Sequence, residues 1–130
     1  MTADTNLLVR VVTRDDPRQS QAAETALESA ELVVLTLTAL CELVWVLSKL
    51  YQTSPAGAAF AIRRLIGGGN VEVDDAAVEA GLTMLDAGGD FADGIIALEG
   101  RRKGGAIFLS FDRRAVAKVK AQGAQARLLA

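Results

Sequence analysis

The stretch GGDFADGIIALEG (88–100) places Asp90 and Asp93 three residues apart, just ahead of the apolar Ile95, Ile96 and Leu98. One chemistry for such a pair is local: Asp90 as the N-cap of a helix and Asp93 as its N3 partner, both favoured by the helix dipole. The other is that one or both acids face a site. Three further acids bear on the choice. Asp4 follows MTA and precedes LLVRVV, Asp112 follows AIFLSF, and Glu42 lies in the first turns of a helical stretch after LVVLT. Glu42 is flanked by Leu40, Cys41, Leu43, Val44, Trp45, Val46 and Leu47, an apolar surround that predicts burial. An unpaired buried carboxylate costs several kcal/mol, so Glu42 calls for a salt-bridge partner or a cation shared with other acids.

What these acids can do is narrowed by what is missing. The chain has no histidine and one cysteine, Cys41. Ser-His-Asp and Cys-His catalysis, histidine-ligated zinc and an intramolecular disulfide framework are all excluded. Carboxylate oxygens without histidine suit hard ions such as Mg²⁺ or Mn²⁺, which activate water and neutralise a phosphodiester. The charge distribution suits such a substrate. Residues 72–99 carry eight acids and no Lys or Arg, whereas residues 100–130 carry eight cations against Asp112 alone. A basic flank of that kind holds a nucleic-acid backbone or is a solvated surface. The residues thus point to a metal-dependent phosphodiesterase.

The elements that must position the acids follow from apolar patterning. LVVLT (32–36), AIFLS (106–110) and ARLL (126–129) are short apolar runs expected as buried strands, with VEV (71–73) nearer an edge and MTA as a short first strand. Helical patterns fall over 17–30, 38–52 (capped by Thr38), 54–67, 76–87, 91–103 and 112–123. Alternation of strands and helices predicts one α/β domain over 1–130, with a parallel sheet covered on both faces. Sites in such sheets lie beyond the carboxyl ends of the strands. Asp4, Glu42, Asp93 and Asp112 are all expected at that edge, within reach of one cation.

DTNLLVR (4–10), ALCELVWVL (39–47), DFADGIIA (90–97) and SFDRR (110–114) occur in the order and spacing of the PIN domain, and the chain resembles in particular the VapC-type toxins of bacterial toxin–antitoxin pairs. The resemblance covers essentially the whole chain. It implies a three-layer α/β/α fold with a central parallel sheet of four or five strands. It also implies a Mg²⁺- or Mn²⁺-dependent endoribonuclease whose metal-binding and catalytic acids fall on Asp4, Glu42, Asp93 and Asp112. Asn6, Asp90 and Ser110 match supporting positions that orient ligands or waters. Ser110 stands where the family usually has Thr, which keeps the hydroxyl, and the first strand is short for the family. A cognate antitoxin and a homodimer are the implied partners, with docking against the apolar helices of residues 38–67. Two other functions remain open from the residues. One is a non-catalytic regulatory or nucleic-acid-binding module of the same fold. The other is an aspartyl-phosphate phosphatase, disfavoured because DTN lacks the second acid of a DxD motif.

The remaining features carry plainer expectations. Cys41 is expected as a small core residue with no base to activate it. Trp45 and Phe60 sit in apolar helical stripes and are expected to pack inside. Arg101 and Arg102 in the GRRKGG loop, with Arg113 and Arg114, are candidate RNA contacts. MTADTN lacks the basic start and apolar run of a signal peptide, and the run 32–50 is broken by Thr36, Thr38 and Glu42. A soluble cytoplasmic protein is expected.

Overall fold

A computed structural model describes all residues, 1–130, and the chain divides into two compact units, Met1–Asp74 and Asp75–Ala130. The first contains α1 (Thr5–Thr13), α2 (Pro17–Ser29), β1 (Val33–Val34), α3 (Leu37–Leu50), α4 (Pro55–Ile66) and β2 (Val71–Glu72). The second contains α5 (Asp75–Asp86), α6 (Phe91–Arg102), β3 (Ile107–Ser110), α7 (Arg113–Ala121) and β4 (Gln125–Leu128).

In the first unit β1 lies between two parallel neighbours. Val33 and Val34 pair with Val71 and Glu72 of β2, and Thr2 forms an isolated parallel bridge to Val34. The amino-terminal MTA therefore runs strand-like beside β1, with Val34 N–H donating to the Met1 carbonyl at 2.8 Å. LVVLT is a shorter strand than its apolar run suggests because Thr36 turns out of it: its hydroxyl accepts from Ala39 N–H and caps α3. The cap is thus Thr36 rather than Thr38. Helices α2 and α4 open as their Pro residues predict, with Asp16 and Ser54 as caps. Helix α1 is an element that the β-branched run LLVRVV does not announce. Its limits are the Asp4 cap and Arg14, which takes a left-handed φ of 56°. Leu8, Leu40, Leu43, Leu47 and Ile62 are fully buried in this unit.

In the second unit β3 and β4 pair in parallel, Ile107 with Gln125 through Ser110 with Leu128. Helices α5 and α6 approach closely at two glycines. A Cβ on Gly81 would meet the Phe91 ring at 2.6 Å, and one on Gly94 would meet the Ala80 carbonyl oxygen at 2.4 Å. Phe108, Ala124 and Ala126 pack on a core of Met84, Ala97 and Val119.

The α/β class holds, but the hydrogen bonds describe two two-stranded parallel sheets rather than one sheet of four or five strands. Burial along β3 also departs from expectation. AIFLS is not buried throughout: Phe108 and Ser110 turn inward while Ile107 and Leu109 are about half exposed. β4 alternates in the same way. No helix is long and apolar enough to cross a membrane.

Candidate functional site

Three of the acids singled out in the sequence are helix N-caps, and each uses a single oxygen to cap. Asp4 Oδ1 accepts from Leu7 N–H at 2.9 Å and opens α1. Asp90 Oδ1 accepts from Ala92 N–H at 3.0 Å and opens α6. Asp112 Oδ1 accepts from Arg114 N–H at 2.9 Å and Ala115 N–H at 3.1 Å, and opens α7. The cap leaves the second carboxylate oxygen without a protein donor in each case. Capping and ligation are therefore not exclusive roles for these residues.

In the first unit, Glu42 is exposed, not buried, which removes the desolvation argument for its needing a cation. Helix α3 is amphipathic despite its composition. Ala39, Leu40, Leu43, Val44 and Leu47 face the core, while Thr38, Glu42, Trp45 and Lys49 form an exposed stripe at helical spacing. Thr5 Oγ1 donates to Glu42 Oε1 at 3.0 Å. This contact ties the residue after Asp4 to α3 and holds one face of the Glu42 carboxylate, leaving Oε2 open. Asn6 was the expected supporting residue, but it is exposed and lines the shallow α1–α2 surface with Leu7, Arg10 and Gln19. Thr5 is thus a partner of a candidate acid that the sequence alone does not reveal. Its only signal is a hydroxyl adjacent to Asp4.

In the second unit, Asp93 lies in the first turn of α6 and is half-buried. It does not close a capping box: Asp90 makes the cap, and the Asp93 carboxylate accepts no hydrogen bond. Burial, and then the negative charges of Asp90 and Asp112, push its carboxyl above the usual carboxylate range. Ser110 Oγ accepts from the Asp112 N–H at 2.9 Å, so the hydroxyl at the end of β3 sets the backbone that presents Asp112. Gly94 permits the close α5–α6 approach one residue beyond Asp93, which fixes the first turn of α6 against α5.

The donor set is all hard oxygen, which fits Mg²⁺ or Mn²⁺, and the charge on Asp93 is raised in energy by burial and then by neighbouring acids rather than compensated. No three of the chain's acidic or cysteine side chains are gathered within reach of one metal ion. Mg²⁺ asks for less than that, since it commonly takes one or two carboxylates and completes its shell with water and substrate phosphate.

The basic residues separate into two groups within the second unit. Arg113 and Arg114 open α7 at the carboxyl end of β3, beside Asp112. Arg101 and Arg102 close α6 before the amino end of β3. Lys118 is occupied, donating to the Ala87 carbonyl at 2.8 Å.

The expectation that Trp45 and Phe60 pack inside is overturned: they are 59% and 64% exposed. Each falls on the outer stripe of its helix, since the inner stripe is already filled by leucines and alanines. The Arg64 guanidinium lies 5.9 Å from the Phe60 ring centroid. Phe60 and Tyr51 border a cavity of about 490 Å³ walled by Val11, Val12, Leu47 and Leu65.

The PIN domain family profile matches residues 1–121 of the chain. No curated protein matches it.

Proposed function

The chain belongs to the PIN-domain family, generally a nuclease fold, and from that premise we propose that it is a metal-dependent endoribonuclease, the toxin of a bacterial toxin–antitoxin pair. The observation that carries the nuclease reading is the state of Asp93. It is a half-buried acid without a hydrogen-bond donor, raised in energy by burial and then by Asp90 and Asp112, and a divalent cation would compensate that charge.

In this reading Asp4, Glu42, Asp93 and Asp112 are the acids that would hold Mg²⁺ or Mn²⁺, one or two of them directly and the others through waters. When bound, the ion neutralises phosphodiester charge and lowers the pKa of a water. The remaining work belongs to the chain's own groups. Asp4 and Asp112 are aimed by their caps, which fix Oδ1 and leave Oδ2 for ligation. Glu42 is steadied by Thr5, and Asp112 by Ser110. Asn6 and Asp90 orient waters around the acids. Arg113 and Arg114 take the RNA backbone next to Asp112, and Arg101 and Arg102 take it further along. The whole chain, 1–130, works as one nuclease domain, and its place is the cytoplasm.

The partner part of the proposal rests on apolar surface. Trp45, Leu50 and Phe60 are all more than half exposed on α3 and α4, alongside the cavity bordered by Tyr51. A cognate antitoxin segment covers part of this surface and sends an Arg or Lys toward the acids, and a second copy of the chain covers the rest.

The test is cleavage of RNA by the purified protein with added Mg²⁺ or Mn²⁺, compared with EDTA. Metal-dependent cleavage that Asp93→Asn abolishes is the expected result. Cleavage undiminished by EDTA, or retained by that variant, would overturn the reading.

A further inference from the structure

The second unit carries a cavity of about 440 Å³ where α6 ends and β3 and β4 begin. Its polar side chains are Arg101, Gln122 and Gln125, and no acidic residue lines it. None of the three makes a hydrogen bond or ion pair within the protein, so the guanidinium and both amides have donors to offer. The rest of the lining is small: Gly104, Ala106, Gly123 and Ala124. Gly104 and Gly123 have φ values of 96° and 85°, and a Cβ built on either meets nothing within 4 Å, so the mouth is open. Exposed Lys103 immediately precedes Gly104, and exposed Lys120 stands two residues before Gln122. Donors without partners, a cationic surround and no carboxylate describe a place for an anion.

We propose that this cavity is a phosphate site, with Arg101 as its principal donor and Gln122 and Gln125 as neutral partners. It is distinct from the acids of the same unit. Asp93 and Arg101 stand eight residues apart on α6, about 12 Å along a helix. The cavity lies at the amino ends of β3 and β4, and Asp112 follows the carboxyl end of β3. The inference rests on the nuclease reading for its preferred ligand, a phosphodiester of the RNA substrate away from the scissile bond. Inorganic phosphate is the other source of the same chemistry.

Binding in EDTA, where cleavage is suppressed, tests the site apart from the chemistry. A fluorescently labelled single-stranded RNA is titrated with wild type, Arg101→Glu and Arg101→Lys across a range of salt concentrations, with inorganic phosphate as a parallel ligand. Arg101→Glu is expected to weaken RNA binding about tenfold, and to reduce the slope of log K against log salt by about 0.7, one phosphate contact on a single strand. Arg101→Lys should restore most of both, because charge rather than fork geometry dominates a backbone contact. RNA binding by Arg101→Glu that equals wild type in strength and salt slope overturns the proposal even if the protein cleaves RNA. Arg101-dependent binding of inorganic phosphate alone overturns the RNA assignment and leaves a small-anion site. If wild type binds RNA through Arg101 but cleaves none with metal, the nuclease reading fails and this site stands.

Discussion

Asp93 and Asp112 sit at helix starts in the same unit, yet they answer to different physics. Asp112 is a cap, so its loss has a structural cost that its charge alone does not explain. Asp112→Ala should lower stability by about 1 kcal/mol, the usual cost of a lost cap, while Asp112→Asn should keep the cap and lose RNA cleavage. Thermal melts of the two variants separate these effects. Asp93 caps nothing and is raised in energy by burial and by Asp90 and Asp112. A carboxyl whose folded pKa lies above its unfolded value of 3.8 favours the fold when protonated, and that contribution is lost as pH rises through the folded pKa. At neutral pH without metal, Asp93→Asn should therefore melt higher than wild type and gain less from added Mg²⁺. A lower melting temperature for Asp93→Asn in EDTA would show that its charge serves the fold. Asp15 has the opposite sign. Its carboxylate accepts from Tyr51 Oη at 2.5 Å, with Thr13 and Arg10 as further donors, and these hold its pKa below 3.8. Its contribution is present above the unfolded pKa and disappears as pH falls through the folded one. Tyr51→Phe should accordingly narrow the gap in stability between neutral and acidic pH, measured by denaturant titration.

At the scale of elements, the glycines and caps explain what the apolar pattern alone does not. Gly94 sits inside α6, where replacing glycine with alanine normally gains up to about 1 kcal/mol of helix propensity. Here the new Cβ would stand 2.4 Å from the Ala80 carbonyl oxygen, a backbone atom that cannot swing aside. Gly94→Ala should therefore destabilise by about 1–3 kcal/mol net and disturb the turn that carries Asp93, seen as a lower melting temperature with reduced cleavage. The sequence makes Gly94 visible but not its reason, because nothing local tells that α5 passes so close. The same limit applies to α1 and α3. Alternation of apolar runs and caps was enough to locate six of the helices and all the strand segments. The β-branched LLVRVV gave no helical signal, since its helix is fixed by Asp4 and by packing of Leu8 and Val9. In α3 an almost continuously apolar sequence concealed an outer stripe, so the exposure of Glu42 and Trp45 could not be read from neighbours in the chain.

For the molecule as a whole, the acids were legible because they stand next to boundaries. Asp4, Asp90 and Asp112 each precede a helix, where a capping residue and a site residue have the same sequence signature. Thr5 was not legible, because its partner Glu42 is 37 residues away. The basic carboxyl-terminal region read as one patch, but β3 separates Arg101 and Arg102 from Arg113 and Arg114. Large exposed side chains on α3 and α4 set an expectation for assembly. Light scattering at micromolar concentration should give the mass of a dimer, and Trp45→Glu should shift it toward the 13.6 kDa of a single chain. A monomer in wild type would remove the dimer and leave the nuclease proposal as it stands.

Trp45 is the chain's one tryptophan, and it stands in solvent a single helical turn from Glu42. The protein therefore carries its own optical probe at the surface proposed for its partners. Its emission should lie toward the red in the isolated chain and be open to quenching by iodide. Anything that covers α3 should shift the emission blue and shield it, with no label attached. A ligand that binds without covering α3 should leave it unchanged.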